Sequence, residues 1–243
     1  MEHCPSRQQC KYNVLMRGAI YDMLRRASSP KMRARIKSSR WFIPVSQRVF
    51  GNEVYSQSYY ADIERLEGES VGHMAAWIVE NLGAGRMIDI GCGPGHLMAA
   101  LGQRGVEPFG VDIATAALKR VRAKGLVGEF FDLAADGAKL PGIPYDVAIS
   151  CEVAEHLNAE FADRFVDHLC SAADRVFLTA AVPNKDIGPG LYHVNEQSNG
   201  YWVEKMSARG FGLDAALTSS ARARFADAGV IDYLAEPMVF GRA

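Results

Sequence analysis

Apolar residues between about Ala61 and Leu82 recur at helical spacing. Ile63, Leu66, Val71, Met74, Ile78 and Leu82 fall near one face, which predicts an amphipathic helix. Gly83 to Gly85 ends it. The period then changes, and short apolar runs alternate with helical stretches. Strands are predicted at Arg86–Ile90, Pro108–Val111, Gly128–Phe131, Tyr145–Ser150 and Arg175–Ala180. Helices are predicted at His96–Arg104, Ala114–Lys124, Asn158–Ala173 and Gly200–Arg209. This β-α-β-α order implies an α/β fold with a mainly parallel, twisted sheet and helices on both faces. The tail, Gly210 to Arg242, reads as a short helix followed by strands at Ile231–Leu234 and Met238–Phe240. An antiparallel pair at the sheet edge suits it. Ligands of such a sheet bind beyond the C-terminal ends of its strands, where the strand order reverses.

The first sixty residues lack strong periodicity, apart from a short helical stretch at Val14 to Ala27, and Pro30 and Pro44 punctuate them. Charge sets them apart. Met1 to Phe50 carries 11 Lys and Arg against 2 acids, or +9, while the remainder carries 16 bases and 26 acids, or −10. The expected division is a basic N-terminal segment over residues 1–60, an arm or lid, and a main domain over 61–243. The basic segment reads either as a solvated arm or as a contact for phosphate, nucleic acid or anionic lipid. Five cysteines at irregular spacing form no CxxC pair and signal neither a zinc knuckle nor a disulfide framework. With no long apolar run and no secretory pattern at Met1 to Cys10, a cytoplasmic setting without a membrane span is expected.

The strongest local signal is MIDIGCGPGHL. An apolar strand carries Asp89, and Gly91, Gly93 and Gly95 follow in alternation with Cys92 and Pro94 before a helix begins. Such glycines permit a tight turn and let a ligand approach the backbone, with the helix N–H groups facing it. Dinucleotide-binding GxGxxG would need glycine at 96, where His96 stands. The acid two residues before GxGxG resembles the first motif of the class I S-adenosylmethionine (SAM)-dependent methyltransferases. Three further features fall in step. Asp112 ends the second strand, 21 residues after Gly91, where a carboxylate can accept ribose hydroxyls. Asp132 ends the third strand in EFFDL, and with Leu133 it matches the position that contacts the adenine amino group in that family. The fourth strand, YDVAISC, ends where methyl transfer is expected. Each acid taken alone also reads as a helix cap or turn residue. The resemblance spans about Ala61 to Phe240. It implies a Rossmann-like, seven-stranded sheet with an antiparallel C-terminal edge. It also implies SAM contacts from Asp89, Gly91, Cys92, Gly93, Gly95, Asp112, Ile113, Asp132, Leu133 and Cys151.

Methyl transfer from a sulfonium is an in-line displacement with an activated leaving group. The protein mainly positions the acceptor and, for an alcohol, helps remove its proton. In SCEVAEHL, Glu152, Glu155 and His156 stand at i, i+3 and i+4, which a helix would place on one face. His193 follows the fifth strand. Glu-x-x-Glu-His with a later His resembles metal-dependent small-RNA ribose 2′-O-methyltransferases, and its first part resembles ubiquinone-pathway O-methyltransferases. The resemblance makes Glu152, Glu155, His156 and His193 ligands of a divalent ion, with magnesium, manganese, iron and zinc all open. The plainer alternatives are acids that favour a helix N-terminus and a metal-free general base at His156. Tyr55, Tyr59 and Tyr60 read as a lid over the cofactor or as core. Cys151 faces the cofactor or fills a small apolar space. Tyr201 and Trp202 line a substrate pocket or pack a helix. Asn195 and Glu196 are candidates to support a ligand.

The (Asp/Asn)-Pro-Pro-(Tyr/Phe) motif of DNA amino-methylating enzymes is replaced by Ser150-Cys151-Glu152-Val153, which argues against a DNA base substrate. The leading expectation is an O-methyltransferase acting on a hydroxylated small molecule, with a sugar or glycan-derived diol first. An RNA ribose 2′-O-methyltransferase gripping phosphates with the basic arm is the alternative. A SAM-binding interaction protein without turnover is the third reading. Oligomeric state leaves no mark in the sequence.

Overall fold

The computed structural model describes residues 57–183, 193–232 and 234–243, with side chains from residue 68 onward. The helix predicted at Val14 to Ala27, the basic arm, Tyr55 and the side chains of Tyr59 and Tyr60 lie outside the described residues. Residues Tyr55–Ala243 form one compact unit.

The chain alternates as expected: α1 (Gln57–Leu82), β1 (Arg86–Ile90), α2 (His96–Gly102), β2 (Glu107–Asp112), α3 (Thr115–Ala123), β3 (Val127–Phe130) and β4 (Val147–Cys151). Two single 3-10 turns follow, Ala154–His156 and Ala159–Phe161, then α4 (Ala162–Ala172), β5 (Arg175–Thr179) and α5 (Asn199–Ser207). The tail gives β6 (Phe211–Leu213), α6 (Ala215–Asp227) and β7 (Met238–Arg242).

These strands form a seven-stranded sheet in the order β3-β2-β1-β4-β5-β7-β6. The first five are parallel, and β7 runs antiparallel to both β5 and β6. The predicted Rossmann-like α/β class with an antiparallel C-terminal edge is what forms. The tail differs in detail. Its first strand, Phe211–Leu213, precedes the helix, and the predicted strand at Ile231–Leu234 is a turn closed by Leu234 N–H to the Ile231 carbonyl. A run of four residues carries too short a period to separate strand from packed turn, and Val230 and Leu234 are buried beside α6.

Central strands are apolar on both faces because helices cover both. Ile88, Ile90, Ala148, Val176 and Leu178 meet Phe165 and Leu169 of α4 and Trp202 and Met206 of α5. On the other face, Met87, Val147, Ile149 and Phe177 meet Trp77 and Ile78 of α1, Leu97 and Leu101 of α2 and Phe225 of α6. Trp77 sits between Phe177 and Phe225, with ring centroids 6.1 and 6.2 Å away, and its indole N–H donates to Ser220 Oγ at 3.2 Å. This three-layer core holds the C-terminal ends of β1 and β4 side by side. Ser150 Oγ ties them, donating to the Ile90 carbonyl at 2.8 Å.

Candidate functional site

The glycine turn after β1 is held against β2. Gly91 and Cys92 N–H groups both donate to the Val111 carbonyl, at 2.8 and 3.1 Å. Gly91 has φ +80°, and a Cβ there would lie 2.3 Å from Val153 Cγ2. Only glycine fits this contact between the turn and the exit of β4. Gly93 also has positive φ, +51°, but a Cβ there would meet nothing within 4 Å. Its backbone therefore borders open space, as close approach of a ligand requires. Asp112 braces the turn: Oδ2 accepts the Gly93 N–H at 2.8 Å and Oδ1 the Ala114 N–H at 2.7 Å. Each oxygen keeps a second lone pair for a hydroxyl donor.

Electrostatics at this turn favour a cation. Asp89 is buried, and burial, aided by the nearby Asp112 charge, pushes its pKa up to about 7. Burial also raises Asp112, against the pull of the Ala114, Gly93 and Ile113 backbone N–H groups. A buried and a half-buried acid this close are stabilised by a positive ligand. Burial, then Asp89 and Asp112, push the Cys92 thiol well above its usual range, so it stays neutral and packs with Met98, Leu118 and Val121. Ile113 beside Asp112 keeps 43% of its surface exposed, an apolar platform at the mouth. Asp132 lies two residues beyond β3 rather than at its end. Its Oδ1 accepts the Ala134 N–H at 2.8 Å, and Leu133 is buried.

The β4 exit departs from expectation. Glu152 adopts φ +56°, a left-handed conformation rare for a side chain with a Cβ. Its N–H donates to the Thr179 carbonyl at 3.3 Å. The chain then makes one 3-10 turn over Ala154–His156 instead of an α-helix. The helical face predicted for Glu152, Glu155 and His156 is thereby corrected: the left-handed residue starts a new direction, so i, i+4 spacing does not apply.

Backbone pairing assembles the site instead. The Glu155 carbonyl accepts the N–H groups of Val194 at 2.8 Å and Asn195 at 3.1 Å, pinning the segment after β5 onto this turn. His156 Nε2 and His193 Nε2 each lie 4.0 Å from Glu155 Oε1. The two rings meet edge-on, with centroids 4.9 Å apart. Donor atoms of Glu155, His156 and His193 fall within 4.8 Å of one another, and Glu152 is not part of this group. Glu155 is fully buried, and neither carboxylate oxygen has a well-formed hydrogen bond. Burial raises its pKa, partly offset by its own N–H, His193, the Ala181 N–H and the neighbouring Glu152. A buried carboxylate flanked by two imidazoles has the donor set of a first-row divalent ion and the size of a three-ligand site.

Cys151 is half-buried, on the fringe of the core beneath α1 and α2. Trp202 is fully buried against Phe165, so it packs α5 rather than lining a pocket, and Tyr201 lies edge-on to it. Sequence reasoning missed Ser150 and Val153, which join the two halves of the site. Val153 carries no chemical signal, and its contact with Gly91 appears only in three dimensions. Glu196 is 2.9 Å from His193 Nδ1, a pairing that its i, i+3 spacing hints at.

Residues 62–217 match the methyltransferase-domain family. Magnesium-protoporphyrin O-methyltransferase of Synechocystis is 33% identical over 133 residues, covering 50% of this chain and 56% of that protein. Ubiquinone biosynthesis O-methyltransferase of Leptothrix cholodnii is 33% identical over 91 residues, covering 33% and 38%. The matched regions thus span about half or less of these curated relatives. Magnesium protoporphyrin IX methyltransferase of Synechocystis, solved with bound S-adenosylhomocysteine, superposes with a TM-score of 0.56 at 23% identity, covering 88% of this chain and 100% of that one. At this identity the likeness concerns the fold.

Proposed function

The chain belongs to the class I SAM-dependent methyltransferase family, and on that premise we propose that it methylates a hydroxyl of a small molecule at the Glu155–His156–His193 cluster, with help from a divalent ion. The observation that carries this reading is the convergence of one buried carboxylate and two imidazoles within 4.8 Å, drawn from two strand exits. A divalent ion there would lower the pKa of an acceptor hydroxyl and offer open positions to two neighbouring oxygens. That favours an acceptor with adjacent hydroxyls, a sugar or glycan-derived diol first. Magnesium, manganese, iron and zinc all suit mixed nitrogen and oxygen donors.

In this reading the backbone of Gly91, Cys92, Gly93 and Gly95 cradles the methionine portion, and Asp89 faces its positive charge. Asp112 accepts the ribose hydroxyls. Ile113, Asp132 and Leu133 border the adenine, and Cys151 borders the transferring methyl. Glu155, His156 and His193 orient the acceptor oxygen. Glu152 works beside Glu155, as its carboxyl neighbour rather than as a fourth donor. The oxygen attacks the methyl carbon in line, the carbon–sulfur bond breaks, and sulfur takes the electron pair to become a neutral thioether. With His156 holding the ion, the hydroxyl proton leaves to water; His156 takes it only in the metal-free form of the reaction. The O-methyltransferase relatives and the net charge of −10 on residues 51–243 support a small acceptor over a polyanion.

The test is labelled methyl transfer from SAM to a panel of vicinal diols, with and without chelator. Chelator should abolish transfer, one divalent ion should restore it, and His156→Ala should lower kcat by about 100-fold or more. Chelator-insensitive transfer with full activity in His156→Ala would overturn the assignment. The +9 segment over residues 1–50 supports an RNA acceptor as the second reading. Transfer to RNA that falls steeply between about 50 and 200 mM salt would replace the small-molecule reading, since phosphate contacts weaken that way.

A further inference from the structure

His193 can present its Nε2 lone pair to the acceptor site only if its proton sits on Nδ1. Neutral imidazole carries one proton, and the partner of one nitrogen decides the role of the other. In this protein Nδ1 lies 2.9 Å from Glu196 Oε1, while Nε2 faces Glu155 Oε1 at 4.0 Å. Both partners are substantially buried, His193 at 18% and Glu196 at 23% side-chain exposure, so water competes weakly for the contact. The segment carrying them has little freedom. Val194 and Asn195 are anchored to the Glu155 carbonyl, and Ser198 accepts the Tyr201 N–H to begin α5 just beyond. Asn195 is itself buried, and its Oδ1 accepts from Gln197 Nε2 at 2.9 Å, which fixes the turn between the two.

We propose that Glu196 is the positioning residue of the acceptor site: its carboxylate accepts the Nδ1 proton of His193 and so holds the Nε2 lone pair toward Glu155 and His156. The proposal rests on His193 belonging to the acceptor site, but not on a metal. A lone pair fixed at Nε2 serves equally as an ion's ligand or as a proton acceptor. Carboxylates that orient a ligating imidazole commonly matter by 10- to 100-fold in affinity or activity.

The experiment uses the full chain with ¹⁵N-labelled histidine and long-range nitrogen–proton correlation at about pH 8, beside steady-state kinetics. Wild type should show His193 protonated at Nδ1. Glu196→Ala should move the proton mainly to Nε2 and lower kcat roughly 10- to 100-fold with the KM for SAM unchanged. Glu196→Gln, which still offers an acceptor oxygen, should restore much of both. A wild-type His193 protonated at Nε2, or an unaltered proton position in Glu196→Ala, would overturn the inference. So would a shifted proton with an unaltered rate. Full activity in His193→Ala would instead sink the reading of the acceptor site, so the two failures are distinguishable.

Discussion

Asp89 is a carboxyl whose chemistry its surroundings alter strongly. Its pKa of about 7 means that, without ligand, much of it is neutral at physiological pH. Burial is the main cause and Asp112 the second. Because the folded pKa lies above the ordinary carboxylate value, this acid's contribution to ligand-free stability is present at low pH. It is lost as pH rises through about 7. At the proposed contact with Asp89, the sulfonium and ammonium charges of SAM would favour the ionised form, so that below about pH 7 binding would release a proton. Affinity for SAM is expected to tighten by up to about tenfold per pH unit as pH rises toward 7, then level off. Calorimetry at pH 6 in two buffers of different ionisation heat should show that proton release, and Asp89→Asn should remove it. Equal heats in both buffers, with affinity flat across this range, would refute the assignment.

At the scale of elements, the sequence is most legible where one period runs unbroken. Arg86–Ile90 was readable to the residue, and α2, α3 and β5 to within a residue or two, because glycine or charge brackets each apolar run. The tail misleads for a physical reason. Phe211–Leu213 is too short to show alternation, and Ile231 and Leu234 are apolar because they pack at the edge of the core beside α6, in a turn rather than a strand. The β4 exit was also hidden. Nothing in CEVAEH announces a left-handed Glu152, and helical spacing was the natural expectation. Element packing makes its own prediction through Trp77, the contact of α1 with β5 and α6. Trp77→Ala should destabilise the fold by about 3–5 kcal/mol, measured by chemical denaturation of the full chain. A loss under about 1 kcal/mol would mean that α1 is not a structural layer of this core.

Over the whole molecule, the site is a composite of two kinds of information. The residues proposed for the cofactor side follow one another along the chain, glycines and acids in fixed register with strand ends, so residue order alone suggests them. The acceptor side depends on chain crossings, since Val194 and Asn195 meet Glu155 through backbone bonds that no spacing rule encodes. Sequence singled out four ligand candidates, and folding gathers three of them, Glu155, His156 and His193. Among the described residues, no helix is long and apolar enough to cross a membrane. The proposed chemistry then turns on whether those three side chains hold an ion. The direct measurement is calorimetric titration of the chelator-treated full chain with magnesium, manganese, iron and zinc in turn, repeated on His193→Ala and Glu155→Gln. One ion should bind the wild-type chain in a single-site isotherm, with affinity at least about tenfold weaker in each variant and SAM binding retained. No binding of any of the four, or binding that survives both substitutions, would contradict a metal-assisted acceptor site.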